Sequence, residues 1–195
     1  MEDGSNDGTK ELIQLLEKKY PIKNLSQLKK RGYSKAVVDG IFAAEGEYIL
    51  CTDSDNQVNV ESLISNLNNL PKKNNFLIGY RNPRKDPPNR LLYSKLFKYY
   101  HDILFRSGLH DPSCPFVLGK NEDFKSLPRD DLLKMREGFW WGFVGVCLKM
   151  NYKFREVPIQ HFERISGVAG YELKNLPIII LRNFIGLIKI KFNIK

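Results

Sequence analysis

The sequence predicts an α/β domain built on a mostly parallel sheet covered by helices on both faces. Three observations predict it. Short apolar runs rich in strand formers, EYILCT and FLIGY, alternate with segments of helical periodicity. Acid-rich turns stand where strands would end, and no internal repeat or low-complexity linker interrupts the order. Such alternation is the pattern of strands buried between helical layers, and 195 residues suit one domain of this kind rather than two.

The opening MEDGSNDGT concentrates turn formers and acids and reads as the end of a strand. TKELIQLLEKKY follows with Leu12, Ile13, Leu15 and Leu16 at helical spacing and Asp7 or Thr9 available as N-cap. Ser34 is placed to cap a second helix, KAVVDGIFAAEG, which Gly46 would end. EYILCT is the next strand. VESLISNLNNL repeats Val60, Leu63, Ile64, Leu67 and Leu70 on one helical face, and FLIGY is a further buried strand. From Pro87 to about Ser107 runs a long helix, then a helix through GFWWGFVGVCLKM, then KFREVPI as an alternating strand. Trp140 and Trp141 belong to core or membrane-interface packing, and His101 and His161 are structural, since neither has a Ser or Cys in a triad arrangement.

Composition narrows the function classes. With 42% apolar and 27% charged residues the chain is neither disordered nor collagen-like. Its longest apolar runs fall well short of the roughly 18 residues of a spanning helix. Cys51, Cys114 and Cys147 are odd in number and widely spaced, which speaks against a disulfide scaffold or zinc site and for a reduced, cytosolic-side protein. Thirty-one Lys and Arg against 22 Asp and Glu leave a net charge of +9, so the partner is expected to be anionic.

Three constellations carry possible chemistry. Asp53 and Asp55 follow a strand directly, where ligands of open parallel sheets sit, and two such carboxylates with Gln57 suit Mg²⁺ or Mn²⁺ bridged to a phosphate. Taken alone, the pair also fits an ordinary turn. Asp3 to Gly8 is a second acidic loop, without the pattern of a P-loop or dinucleotide fingerprint. The third is basic: Arg81 ends a strand, Arg90 and Ser94 share a helix face at i and i+4, and Arg164 lies in HFERISG. Arg84, Lys85 and Lys98 read instead as a solvated or lipid-facing surface.

Taken in order, EDGSNDGT, RGYSKAVVDGIFAAEGEYILCTDSD, IGYRNPRKDPPNRLLYS, DPSCPF and FREVPIQHFERISGVAGYE resemble the family 2 glycosyltransferases of the GT-A fold. The similarity runs to the branch of dolichyl-phosphate mannose synthase and polyprenyl-phosphate glycosyltransferases and covers roughly residues 2 to 171. It implies a three-layer GT-A fold with a mostly parallel mixed sheet in residues 1–172, followed by an amphipathic basic segment 173–195. It implies a fold lacking the family's first strand and its Pro-x-x-Asn-Glu segment.

The resemblance also implies roles. Asp3 and Asp7, with Asp53, would meet the nucleotide-sugar donor, Asp53, Asp55 and Gln57 would organise the metal, and Arg81, Arg90, Ser94 and Arg164 would hold an acceptor lipid phosphate. Pro115 departs from the family's usual glycine, and Trp141 or Gly142 stands where an acid is common. The C-terminal LPIIILRNFIGLIKIKFNIK reads as a helix lying in a membrane interface or packed on the domain, although its last eight residues also alternate as a strand. The expectation is an inverting, metal-dependent transferase of sugars to polyprenyl or dolichyl phosphate, peripheral on the cytoplasmic face of a membrane, with no nucleic-acid partner. The alternatives are a saccharide or protein acceptor, and a silent family member that binds a membrane or partner.

Overall fold

The computed structural model describes residues 1–55, 57–58, 71–162 and 176–194. The helix expected at 60–70, Arg164 and the 172/173 domain boundary lie outside the described residues. In chain order the elements are α1 Thr9–Glu17, α2 Tyr33–Ala43, β1 Tyr48–Cys51, β2 Asn75–Arg81, α3 Pro88–Phe105, β3 Val117–Lys120, α4 Asn121–Ser126, α5 Arg129–Leu132, α6 Phe139–Lys149, β4 Lys153–Ile159 and α7 Leu176–Phe192.

The strands form a sheet of order β1-β3-β2-β4. β3 pairs antiparallel with β1 and β2, and β2 pairs parallel with β4. Three strands therefore point one way and β3 runs against them, which is the mixed α/β sheet expected. β2 is central because Phe76, Leu77 and Ile78 are apolar on both faces and fully buried. β3 was not anticipated: VLGK is short, and its glycine is a packing requirement. A Cβ at Gly119 would stand 2.4 Å from the ring of Phe76, so only glycine lets the strand close on that ring.

Helix α6 forms the floor of the core. Its residues from Phe139 through Cys147 are all buried, as expected of a helix that is apolar all round. Phe143 meets Phe76 edge-on at 5.2 Å, and Phe76 meets Phe124 at 4.9 Å. Trp140 and Trp141 belong to this core. A Cβ at Gly142 would lie 2.2 Å from Cγ of Met135, so the acid common at this point in related sequences has no room here.

Three capping expectations are corrected. α1 is capped by Gly8 with no side-chain hydrogen bond, not by Asp7 or Thr9. α2 starts at Tyr33 after Gly32 and ends at Ala43, before Gly46. Ser34 is buried inside the first turn, where its hydroxyl donates to the carbonyls of Met135 (2.5 Å) and Arg136 (3.1 Å). The carboxylate that serves the start of α2 comes from Asp3. The C-terminal segment is helical: α7 buries Leu187 and Ile190 and sets Phe184 against Tyr100 of α3 as a tilted ring pair at 4.1 Å.

Candidate active site

Asp53 and Asp55 leave the carboxyl end of β1, the position open sheets reserve for ligands. Oδ1 of Asp53 accepts a hydrogen bond from the Tyr33 hydroxyl at 2.7 Å, and Nε1 of Trp140 donates to that hydroxyl oxygen at 2.8 Å. Burial and then the Asp53 charge raise the Tyr33 pKa far above the ordinary phenol range. Neighbouring Cys51 is pushed up to about 12 by burial, with Asp53 adding to it, so it stays a thiol. Oδ1 of Asp55 accepts from the Gln57 backbone N–H at 3.2 Å.

Among the described residues no three His, Cys, Asp or Glu side chains converge as a closed cage. Two carboxylates without a third fit a hard divalent ion that completes its shell with substrate phosphates and water. Asp53 and Asp55 would hold it. The Gln57 amide donates to the Phe162 carbonyl at 3.3 Å, which orients its side chain toward the strand end after β4.

The loop at residues 3–8 packs on the start of α2. Asp3 accepts from the backbone N–H groups of Arg31 (2.8 Å) and Gly32 (2.7 Å). Gly4 makes this possible: it has φ +74 and a Cβ there would meet the Lys30 nitrogen at 2.7 Å. Asp7 accepts from the N–H and hydroxyl of Thr9, and these bonds lower its pKa. Beside Tyr33 lies a cleft of about 350 Å³ walled by Arg31, Lys35, Arg136 and Met135 among others. The aspartates are not part of its walls.

The basic side is a network. Arg81 grips Asp111 with two bonds, Nε at 2.6 Å and Nη2 at 2.9 Å, and reaches Ser113 at 2.7 Å. Both side chains of the pair are only 9% exposed. Burial alone would raise the Asp111 pKa, but Arg81 and then Arg84 overcome it and hold the carboxyl at about 2. Arg84 is not a solvated cation as its sequence context implied: it joins Asp86, donates to Ser94 at 2.7 Å and lies 3.9 Å from Asp111. Arg90 pairs with Asp86 at 3.1 Å while remaining 49% exposed. Arg90 and Ser94 share α3 as expected, but each is held by a different partner in this network.

The acidic and basic sides are stitched together by backbone. Phe162 N–H donates to the Gln57 carbonyl at 2.9 Å, and Val58 bridges His161. The His161 ring in turn accepts at Nδ1 from the Lys85 N–H at 3.1 Å, beside Arg81 and Arg84. Its pKa is lowered, by burial first and then by those arginines.

Tyr33, Trp140, Arg84, Asp111, Ser113 and His161 were not assigned to the site from sequence. Asp111 and Ser113 sit in the DPSCPF motif that supports the resemblance, so a signal existed for them. Tyr33 had none, because its target is 20 residues away.

A mixed α/β sheet with paired carboxylates after the carboxyl end of a strand is the framework of a GT-A fold. The family model described as glycosyl transferase family 2 matches residues 1–127, and the chain belongs to that family. It is 30% identical over 184 residues to the dolichyl-phosphate beta-glucosyltransferase ALG5A of Trichomonas vaginalis, a match spanning 85% of this chain and 56% of that protein. It is 33% identical over 82 residues to a dolichol-phosphate mannosyltransferase of Mycosarcoma maydis, spanning 42% and 28%. The chain thus spans about half, or less, of these relatives' lengths. In fold it is similar to glucosyl-3-phosphoglycerate synthase from Mycobacterium tuberculosis solved with Mn²⁺, uridine diphosphate and glucosyl-3-phosphoglycerate, at a TM-score of 0.59, 13% identity and 97% of this chain on 67% of that one.

Proposed function

We propose that this glycosyltransferase moves a sugar from a nucleotide-sugar to a polyprenyl or dolichyl phosphate at a membrane surface, with inversion. The observation that carries it is the juxtaposition of the Asp53–Asp55 pair with the Arg81–Arg84–Arg90 cluster, joined through residues 57–58 and 161–162. Asp53 and Asp55, with Gln57 beside them, hold the cation and so orient the donor diphosphate. Asp7 lies on the donor side, and Asp3 serves it by fixing Arg31 and Gly32. Mg²⁺ or Mn²⁺, when bound, neutralises charge growing on the leaving diphosphate.

On the acceptor side, Arg81 pairs with Asp111, and Arg84 and Arg90 both pair with Asp86. Half-exposed Arg90, with Ser94 and Arg164, is what an incoming lipid phosphate meets. That phosphate is already ionised, so its oxygen attacks without a general base. This is consistent with the lack of an acid at Trp141 or Gly142, where related sequences carry one.

The membrane reading is supported by exposed apolar stripes on α3 (Leu96, Tyr99, Ile103) and α7 (Leu181, Ile185, Ile188), helices that pack on each other and carry Lys95, Arg182 and Lys189. No described helix is long and apolar enough to cross a membrane, and stripes of this kind suit the lipid interface.

The test is transfer of label from UDP-glucose and GDP-mannose to polyprenyl phosphate in detergent or vesicles with Mn²⁺, followed by organic extraction. Chelator-sensitive glycolipid should form, and Asp55→Ala should lower the rate by roughly a hundredfold or more. No glycolipid with any donor tried, or unchanged transfer in Asp55→Ala, would overturn the reading.

A further inference from the structure

We propose that Tyr33, anchored by Trp140, positions the Asp53 carboxylate for the divalent cation. The inference rests on the reading of Asp53 as a ligand of that cation and adds to it a residue outside the D-x-D.

The polarity of the contacts is forced. An indole N–H only donates, so the Tyr33 oxygen must accept from Trp140 at 2.8 Å. The single phenolic proton then goes to Oδ1 of Asp53 at 2.7 Å. The relay has one direction, from core to site, and fixes the rotation of the carboxylate about its last bond.

Its two ends differ in the way a positioning device requires. Trp140 is 5% exposed and is wedged between Phe139 at 5.0 Å and Phe143 at 5.5 Å, both edge-on. Asp53 stands at the open end of β1. Tyr33 between them is the first residue of α2, whose start is held from both sides. Asp3 takes the N–H groups of Arg31 and Gly32, and Ser34 ties the next residue to the carbonyls of Met135 and Arg136. The phenol therefore has little freedom to leave Asp53, and the carboxylate is presented in one orientation before any cation arrives. Partners of this kind, which orient a ligand without touching the metal, typically govern affinity by roughly 10- to 100-fold.

The experiment measures Mn²⁺ binding by the electron paramagnetic resonance of free Mn²⁺. The full chain is titrated alone and with inorganic pyrophosphate, which stands for the donor's diphosphate and leaves the base out. Tyr33→Phe should weaken Mn²⁺ binding about tenfold with an unchanged melting temperature, because only the hydroxyl is lost. Trp140→Phe keeps the phenol but removes its anchor, and should weaken binding by about threefold, a smaller share of the same effect. It also serves as the readout should Tyr33→Phe lower the melting temperature. Asp53→Asn separates the two levels of the argument. If it binds Mn²⁺ as well as the unaltered chain, the D-x-D reading fails and the inference with it. If it abolishes binding while Tyr33→Phe and Trp140→Phe both remain within about twofold of the unaltered chain, the D-x-D reading stands and Tyr33 is no positioning residue.

Discussion

Helices α1 and α6 carry the same kind of signal in the sequence, a run of apolar residues between turn formers, and the fold treats them in opposite ways. α6 buries every residue from Phe139 to Cys147. α1 buries none, and Leu12 and Leu15 are 56% and 62% exposed. The difference is one of partners. α6 lies between the aromatic cluster of the sheet, α3 and α7, whereas α1 stands at the margin, beyond the acidic loop. Local periodicity reports which face of a helix is apolar, and only tertiary neighbours decide whether that face is covered.

The comparison is broken most severely from the α6 side. Phe143→Ala removes a ring packed against Phe76, Phe124, Phe139 and Trp140 and should cost about 4 kcal/mol, read as a lower denaturation midpoint. Asp111→Ala comes next. It leaves the Arg81 guanidinium buried without its bidentate partner, and should cost about 3 kcal/mol, because stranding a buried charge is worse than deleting both partners. In the unaltered chain this pair is fully stabilising above the ordinary carboxylate pKa of 3.8 and is lost as pH falls toward about 2.

The third effect is smaller and confined to a pH window. His101 is fully buried, its Nε2 donates to the Trp141 carbonyl at 3.1 Å, and its Nδ1 has no hydrogen-bond partner among the described residues. Burial, opposed by the Trp141 carbonyl and Asp102, lowers its pKa to about 4. Above pH 6.5 the ring is neutral folded or unfolded. Below it, the unfolded chain takes up a proton that the folded chain resists until about pH 4, so stability should fall across this window by on the order of 2 kcal/mol. His101→Leu should flatten that part of the stability-against-pH curve while leaving the acid limb set by Asp111.

The strands β1, β2 and β4 and helices α2, α3 and α6 were legible because each has a complete local pattern. β3 was not, since four residues containing Gly119 carry no period and their role depends on the Phe76 ring. The acidic pair was legible for the same local reason: Asp53 and Asp55 are one residue apart. The arginine cluster was half legible. Arg81, Arg90 and Ser94 could be picked out, and DPSCPF marked Asp111, but nothing local joined Asp111 to Arg81, 30 residues away. Arg84 was misread because a cation beside prolines looks solvated until Asp86 and Ser94 fold onto it. Ser34 was misread as a cap because capping residues and buried hydroxyls are the same residue types.

The smallest prediction sharpens the comparison. Leu15→Ser on α1 should change stability by less than about 0.5 kcal/mol, because the side chain is already in water and leaves no cavity when shortened. Val144→Ser on α6, at a fully buried position, removes packed methyl groups and puts a hydroxyl in the core. Measured by chemical denaturation at two protein concentrations, the pair separates intrinsic packing from association. If Leu15→Ser proves costly at high concentration and neutral at low, the α1 face is covered by a second copy of the chain. If it is neutral at both, α1 contributes little to the stability of this chain, and the fold is held by the aromatic core under β2.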